Sequence, residues 1–163
     1  NAITKFSKQN SKIIALDADL VFDTGLIPFK EQFSERFIEC GISEQDMVSQ
    51  AGTIALSGLI PSVHSFACFL TTRPNEQIYN NALQGSKIIY VGSLAGLLPA
   101  GPGSSHQAVR DITTMSAIPN RDGKDSTEMF DSKQTVSFFS AAKQFSAYIK
   151  EKAPTTLTKT SSG

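Results

Sequence analysis

The sequence lacks the features that mark several large classes of protein. Fifteen basic residues are balanced by fifteen acidic ones, and the basic residues form no stripe, so nucleic-acid binding is not expected. No run reaches the roughly 18 apolar residues that a membrane-spanning helix needs. The first residues do not show the positively charged region followed by an apolar region that is typical of a secretory signal peptide. We therefore expect a cytoplasmic protein that binds neither nucleic acid nor membranes.

Cysteine is also scarce. Cys40 and Cys68 make neither a disulfide framework nor a metal-binding knuckle, so we expect two small buried side chains in a reducing compartment. The chain starts at Asn1 rather than at methionine, which leads us to expect a processed or excised piece of a longer protein.

The composition is that of an ordinary globular domain. The chain has 163 residues, of which 40% are hydrophobic and 18% are charged, enough for one domain with a proper core. Apolar runs predict strands at 11–16, 61–66 and 87–91. Helical spacing predicts helices through 44–55, from 71 to 84, and after 107. Strands that alternate with helices predict a mostly parallel sheet covered on both faces, a three-layer α/β/α sandwich.

Three predicted helices have an apolar side. The first carries Met47, Val48, Ala51, Ile54 and Ala55; the second, opened by Pro74, carries Ile78, Tyr79, Ala82 and Leu83; the third carries Val109, Ile112 and Met115.

The pattern changes after Asn120. Residues 121–126 are charged and rich in turn formers, with no apolar strand where the alternation requires one. A fourth amphipathic helix is predicted over 131–152, because apolar residues recur there at helical spacing: Val136, Phe139, Ala142, Phe145 and Ile149. We expect residues 1–152 to form the domain and residues 153–163 to form a flexible tail.

The most informative stretch runs from 36 to 70. Ser43 is a plausible N-cap, which places Glu44 at the entrance to the first long helix, and Gly58 suits a left-handed C-terminal cap. A glutamate in a first helical turn is often only structural. Phe66 and Phe69 follow the next strand and could meet the carboxylate in one pocket, although phenylalanines here also suit an ordinary core.

Six segments carry a family resemblance. They read ALDADL, RFIECGISEQDMVSQAGTIALSGLIP, SFACFLTTRPNEQI, VGSLAGL, SSHQAVRDI and SAIPN. In this order and spacing they resemble the pyrimidine-binding domain of the transketolase family, most strongly over 14–120. The similarity is greatest to the C-terminal half of transketolase and to deoxyxylulose-phosphate synthase.

The resemblance implies thiamine diphosphate chemistry. Glu44 matches the family glutamate that hydrogen-bonds the aminopyrimidine and so activates the cofactor. Phe66 and Phe69 match aromatic residues that hold the pyrimidine, and Asp19 would lie near the thiazolium ring; its alternative role is that of a turn or cap aspartate. His106 matches a family histidine that faces the substrate and moves a proton. His64 has no such match and is interpreted as a core residue.

Two departures from the family pattern concern the pocket wall. Sugar-transferring members read Asp-Gly-Pro-Thr-His before the histidine, whereas this chain has Pro102-Gly103-Ser104-Ser105, without the carboxylate. Thr72 stands where related enzymes carry tyrosine or arginine.

The diphosphate-binding motifs are also missing from the sequence. The resemblance therefore implies that another chain or a missing segment supplies the diphosphate-binding domain, together with its Mg²⁺ site, in a homo- or hetero-oligomer.

Three functions stay open on the sequence. The first is half of a transketolase-like enzyme that transfers a two-carbon ketol unit between small molecules. The second is a subunit of a thiamine enzyme that decarboxylates 2-oxo acids. The third is a non-catalytic domain with a structural or dimerisation role.

Overall fold

Five strands form one parallel sheet at the centre of the structure. A computed structural model describes residues 2–97 and 102–118 and, as backbone, 136–139. The strands are β1 (Ile13–Asp17), β2 (Phe37–Glu39), β3 (Ile60–Phe66), β4 (Ile88–Ser93) and β5 (Val136–Phe139). They lie in the order β2-β1-β3-β4-β5, and each neighbouring pair is parallel. The prediction of a mostly parallel sheet is confirmed.

Helices pack on both sides of this sheet. They are α1 (Ala2–Ser7), α2 (Ile27–Gln32), α3 (Glu44–Leu56), α4 (Ala67–Thr72), α5 (Asn75–Gln84) and α6 (Asp111–Ser116), with 3₁₀ turns at Ser34–Arg36 and Gly103–His106. No helix in the described part of the chain is both long and apolar enough to cross a membrane.

Two hydrophobic clusters fill the space between the layers. Alternate residues of a strand point to opposite faces of a sheet, so Ile13 and Ala15 enter one cluster and Leu16 enters the other. The first cluster packs against α1 and α2, and the second against α3, α4, α5 and α6. This arrangement is the predicted three-layer α/β/α sandwich.

The strand order predicts a crevice at the carboxyl ends of the strands. The chain leaves β1 for β2 on one side and then crosses over to β3 on the other side of β1. In open parallel sheets, ligands bind beyond the carboxyl ends of the strands, where the connections diverge in this way. The segments that follow β1, β2 and β3 at that edge carry Asp19, Glu44 and Phe69.

Helix α3 agrees with its prediction except at the cap. Met47, Val48 and Ala51 are fully buried, and Gly58 adopts a φ of +87°, the left-handed region that favours glycine. Ser43 occupies the N-cap position, but its hydroxyl makes no capping hydrogen bond. The helix start is held instead by the Met47 amide, which donates to the Ser43 carbonyl.

The helix predicted from 71 to 84 is two helices. α4 ends at Thr72, and α5 begins at Asn75 after Pro74, which lacks the amide a continuing helix would need. Ile78 and Ala82 are buried as predicted, whereas Tyr79 and Leu83 are exposed.

The predicted apolar side of the third helix is also largely wrong. Met115 is buried, but Val109 and Ile112 are 63% and 74% exposed. The helix is only one and a half turns long, and it begins at Asp111, so Val109 precedes it.

The helix predicted over 131–152 is contradicted at its start. Residues Val136–Phe139 form β5, which pairs in parallel with β4, so the sheet has the last strand that the sequence interpretation omitted. A short apolar run is compatible with both the helical and the strand period. Pairing with the free side of β4 makes this run a strand. Ala142, Phe145, Ile149 and the expected tail at 153–163 lie outside the described residues.

Both cysteines are free thiols, and the prediction that they are buried holds for one of the two. Cys68 is buried and Cys40 is half-buried. Burial raises the pKa of the Cys40 thiol to about 11, which makes it a weak nucleophile at neutral pH.

Candidate functional site

Glu44 lies buried at the carboxyl edge of the sheet. The chain turns after β2 at Gly41, whose φ of +67° lies in the region that glycine adopts most readily, and then enters α3. Glu44 is the first residue of that helix and only 2% of it is exposed. A buried carboxylate needs a counter-charge or a hydrogen-bond donor.

Arg73 supplies this counter-charge. Its Nη1 donates to Glu44 Oε1 at 2.5 Å, and it reaches this oxygen from the C-terminal cap position of α4. The Arg73 guanidinium carbon also lies 3.8 Å from the centre of the Phe69 ring. One planar cation therefore contacts both the buried carboxylate and the aromatic ring.

Three rings complete the cluster. Phe66 ends β3 and is also the N-cap of α4, so no loop separates the strand from the helix that carries Phe69. The two phenylalanine rings are 5.8 Å apart. The His106 ring meets Phe69 at 5.0 Å and Phe66 at 6.1 Å, both edge to face, a favourable arrangement for aromatic rings.

A cavity of about 260 Å³ opens beside this cluster. Its walls include Phe69 and Arg73 from the cluster, Thr72 from α4, Ser105 from the segment before His106, and Asp111 from α6. The cavity meets the cluster at Phe69 and Arg73, the residues through which it adjoins Glu44 and the other rings. We designate Glu44, Phe66, Phe69, Arg73 and His106, together with this cavity, the candidate site.

Asp19 stands apart from this cluster. It has a φ of +61°, its side chain is exposed, and its backbone amide donates to Glu39 Oε1 at 2.8 Å. Within the described residues, its carboxylate accepts no hydrogen bond from the Glu44 cluster. The structure therefore places Asp19 on the same sheet edge but does not join it to the other predicted site residues.

The buried carboxylate at the end of β1, where this loop begins, belongs to Asp17. It accepts from the Leu20 amide at 2.6 Å and from the Thr24 hydroxyl at 2.7 Å, and so shapes the turn that presents Asp19. Burial, partly offset by these hydrogen bonds, raises the pKa of Asp17 to about 6.

His64 is a core residue, as interpreted. It is 3% exposed, and its Nε2 hydrogen-bonds the Ser62 hydroxyl at 2.8 Å. Burial lowers its pKa to about 3, so it is neutral at physiological pH. It lies beside Asp17 in the register of β1 and β3.

Sequence reasoning missed Arg73 and Asp111. Arg73 directly follows Thr72, the position at which related enzymes carry tyrosine or arginine. Its partner Glu44 lies 29 residues earlier in the chain. Thr72 itself bonds back to the Cys68 carbonyl. Asp111 is 7% exposed and lines the cavity opposite Ser105, so the cavity has a carboxylate although the run before His106 has none.

The geometry suits a planar nitrogen heterocycle. Glu44 and Phe69 both contact the planar guanidinium of Arg73, an arrangement that suits a flat group bearing nitrogen. In the described ranges, no three His, Cys, Asp or Glu side chains are grouped so as to hold a metal ion.

Comparison with known proteins agrees with this geometry. The family model described as "Transketolase, pyrimidine binding domain" matches residues 1–159. Transketolase-like protein 2 of Mus musculus is 40% identical over 73% of this chain and 19% of its own length. The 1-deoxy-D-xylulose-5-phosphate synthase of Syntrophus aciditrophicus is 32% identical over 74% of this chain and 18% of its own length.

A solved structure shares the fold. It is described as "Split gene transketolase, inactive beta4 tetramer", with a TM-score of 0.62 and 33% identity over 73% of this chain and 38% of that one. The chain thus spans about a fifth of the length of the two curated relatives. The family match over residues 1–159 and these relatives show that the chain belongs to the transketolase family, as a pyrimidine-binding domain.

Proposed function

We propose that this chain is the pyrimidine-binding half-site of a thiamine-diphosphate-dependent, transketolase-like enzyme that transfers a two-carbon ketol unit. Glu44 activates the cofactor aminopyrimidine in this proposal. The observation that carries it is that one planar group, the Arg73 guanidinium, contacts both the buried Glu44 carboxylate and the Phe69 ring.

Glu44 is suited to this role by its burial. A carboxylate shielded from water forms stronger hydrogen bonds than an exposed one, so it can share a proton with a ring nitrogen. Its position at the start of α3 fixes its direction, because Met47 and Val48 anchor that helix in the core. When bound, thiamine diphosphate supplies the nucleophilic carbon that takes up the two-carbon unit.

The rings give the half-site its shape. Phe66 and Phe69 contact the pyrimidine ring. Each aromatic pair contributes about 0.5–1.5 kcal/mol of binding free energy in addition to that from buried surface area. His106 contacts both rings and has an imidazole that can take or give a proton at the mouth of the site. Asp19, on the neighbouring loop, is assigned to the thiazolium side.

The second half of the site is assigned to a diphosphate-binding domain of another chain or of a longer form of this one. Large apolar side chains are exposed on segments that follow the carboxyl ends of β1, β2 and β4: Phe22, Ile42, Leu97, Val109 and Ile112. The proposal assigns these exposed side chains to the surface that the diphosphate-binding domain covers. The proposal places the Mg²⁺ that binds the diphosphate in that partner.

The proposal is tested by reconstitution with a diphosphate-binding domain taken from a transketolase-like protein. The full chain and the partner are mixed with thiamine diphosphate and Mg²⁺, and ketol transfer between sugar phosphates is measured. We expect Glu44→Gln to leave the circular dichroism spectrum intact and to lower turnover at least about 100-fold, since general acid–base assistance is worth roughly 10²–10⁴. Full activity of this variant would refute the assignment.

Asp46→Asn is the matched control. Asp46 lies in the same first turn of α3, but it is exposed and accepts a hydrogen bond from Gln50. Its replacement should leave turnover unchanged. Release of CO₂ from 2-oxo acids without transfer between sugars would replace the proposed reaction by decarboxylation, and no cofactor binding in any mixture would favour a structural role.

A further inference from the structure

Arg73 already makes the two contacts that the proposed function gives to the cofactor ring. Its guanidinium donates to Glu44 Oε1 at 2.5 Å and lies 3.8 Å from the centre of the Phe69 ring. No other ion pair of Glu44 occurs among the described residues. The partner of the proposed catalytic carboxylate is therefore a residue of the same chain.

We propose that Arg73 sets the cofactor affinity of this site by occupying the place of the pyrimidine ring until the ring displaces it. The inference rests on the proposed function, because it takes Glu44 and Phe69 as the contacts of the ring. It assigns to Arg73 a role in binding, and none in the reaction itself.

The two occupants compete because they are alike. Both groups are flat and both can stack on an aromatic face; the guanidinium donates N–H to the carboxylate, and the pyrimidine ring nitrogen shares a proton with it. A separation of 3.8 Å from the Phe69 ring is contact distance for stacked groups, so a second ring cannot enter between them. The pyrimidine can use that face and that oxygen only after the guanidinium has moved.

Arg73 has a place to move to. Its side chain is 38% exposed, whereas that of Glu44 is 3% exposed, so the arginine is the member of the pair with open space beside it. Arg73 and Asp111 line the same cavity of about 260 Å³. Asp111 offers a second carboxylate to the released guanidinium, which is therefore not left without a counter-charge in the cavity.

The effect on affinity follows from the population of the open site. The apparent dissociation constant equals the intrinsic one divided by the fraction of molecules that can bind. If Arg73 covers the site in about nine molecules of ten, removing it strengthens binding about tenfold.

The experiment measures binding of the ring alone, with 4-amino-5-hydroxymethyl-2-methylpyrimidine as the probe and the full chain as the protein. Arg73→Met removes the guanidinium but keeps an apolar chain over Phe69. We expect it to bind the probe about tenfold or more tightly than the unchanged protein in calorimetric titrations. Lys87→Met, which removes an exposed cation that does not line the cavity, should leave the dissociation constant unchanged.

A second measurement requires no variant, since Arg73→Met leaves Glu44 buried without its cation and could impair folding. In the unchanged protein, ¹⁵N spectra report the Arg73 Nε–H directly. Addition of the probe should shift this resonance and speed its exchange with water, at the same midpoint as the shifts of the Phe69 ring.

The outcomes separate the two proposals. Equal or weaker binding by Arg73→Met, or an Arg73 resonance that stays unchanged while the probe shifts Phe69, overturns the inference and leaves the proposed function standing. If the probe binds but Glu44→Gln binds it equally well, the assigned contact is wrong and both proposals fail. Absence of probe binding to both the unchanged protein and Arg73→Met also overturns both.

Discussion

Glu44 carries a charge at a place from which water is largely excluded, and this decides what its neighbours must be. Removing a carboxylate from water costs several kcal/mol unless a cation or a set of donors replaces the lost hydration. In this chain Arg73 meets that need. The same reasoning explains why a buried acid beside an aromatic ring is a good receptor for a flat, nitrogen-bearing ligand.

Asp17 makes a prediction about stability and pH. Burial raises its pKa from 3.8 to about 6 in the folded protein, so folding favours the protonated form. The stabilising contribution of this group is therefore complete below pH 3.8 and is lost as the pH rises through 6. Over that window the free energy of unfolding should fall by at most about 3 kcal/mol on account of Asp17.

Asp17→Asn should remove this dependence. Urea unfolding of both proteins between pH 4 and pH 7.5 gives the test, and the difference between the two curves isolates Asp17. Burial lowers the pKa of His64 to about 3, so His64 gives the free energy of unfolding the opposite trend between pH 6.5 and 3. Both proteins contain His64, so its contribution largely cancels in the difference between the two curves. A difference that does not change with pH would contradict the prediction.

At the residue scale, sequence reasoning reached the acid and the rings but not the cation. Glu44, Phe66, Phe69 and His106 were chosen on a family resemblance, and the structure brings them together. Arg73 belongs to no periodic pattern, because its role depends on a long side chain that reaches across the site. A buried acid could have prompted the search for a cation nearby.

At the element scale, the packing of α3 on α5 leads to a prediction about the stability of the protein. A Cβ atom at Gly52 would lie 2.2 Å from Oδ1 of Asn81, so the absence of a side chain lets the helices approach. Asn81 is buried and donates from Nδ2 to the Val48 carbonyl at 2.9 Å. Gly52→Ala should therefore destabilise the protein by about 1–3 kcal/mol, since it overpacks the contact and displaces this hydrogen bond.

A double-mutant cycle identifies the cause. Asn81→Ala alone should cost about 1 kcal/mol through the lost hydrogen bond, and the double variant should lose less than the sum of the two single variants, because the obstacle to the new methyl group is gone. Chemical unfolding of the four proteins measures this coupling. Strict additivity would show that the Gly52 effect comes from elsewhere.

At the element scale, long patterns were reliable and short ones were not. The burial of Met47, Val48 and Ala51 follows from the spacing along a thirteen-residue helix. α4 was missed because it follows β3 without a turn residue to mark the change. The spacing of Val136 and Phe139 suits a helix, but the partner that makes them a strand is β4, far away in the sequence.

At the scale of the whole molecule, β5 is an edge strand of the sheet and covers the backbone of β4. It pairs with β4, whose Ile88 and Tyr90 are buried in the core. Deleting residues 119–163 should expose the backbone donors and acceptors of β4 and promote association between chains. Light scattering measures this association, and a chain ending at residue 152, which retains β5, is the control. A monomeric, stably folded deletion variant would contradict the importance of this pairing.

The direct junction of β3 and α4 has a consequence for how such genes change in length. Inserting one residue between Phe66 and Ala67 would rotate α4 by about 100° about its axis, because an α-helix has 3.6 residues per turn. Phe69 and Arg73 would then leave the carboxylate together. Insertions and deletions that persist in descendants should therefore avoid this junction and accumulate in connections where a loop can absorb the added residue.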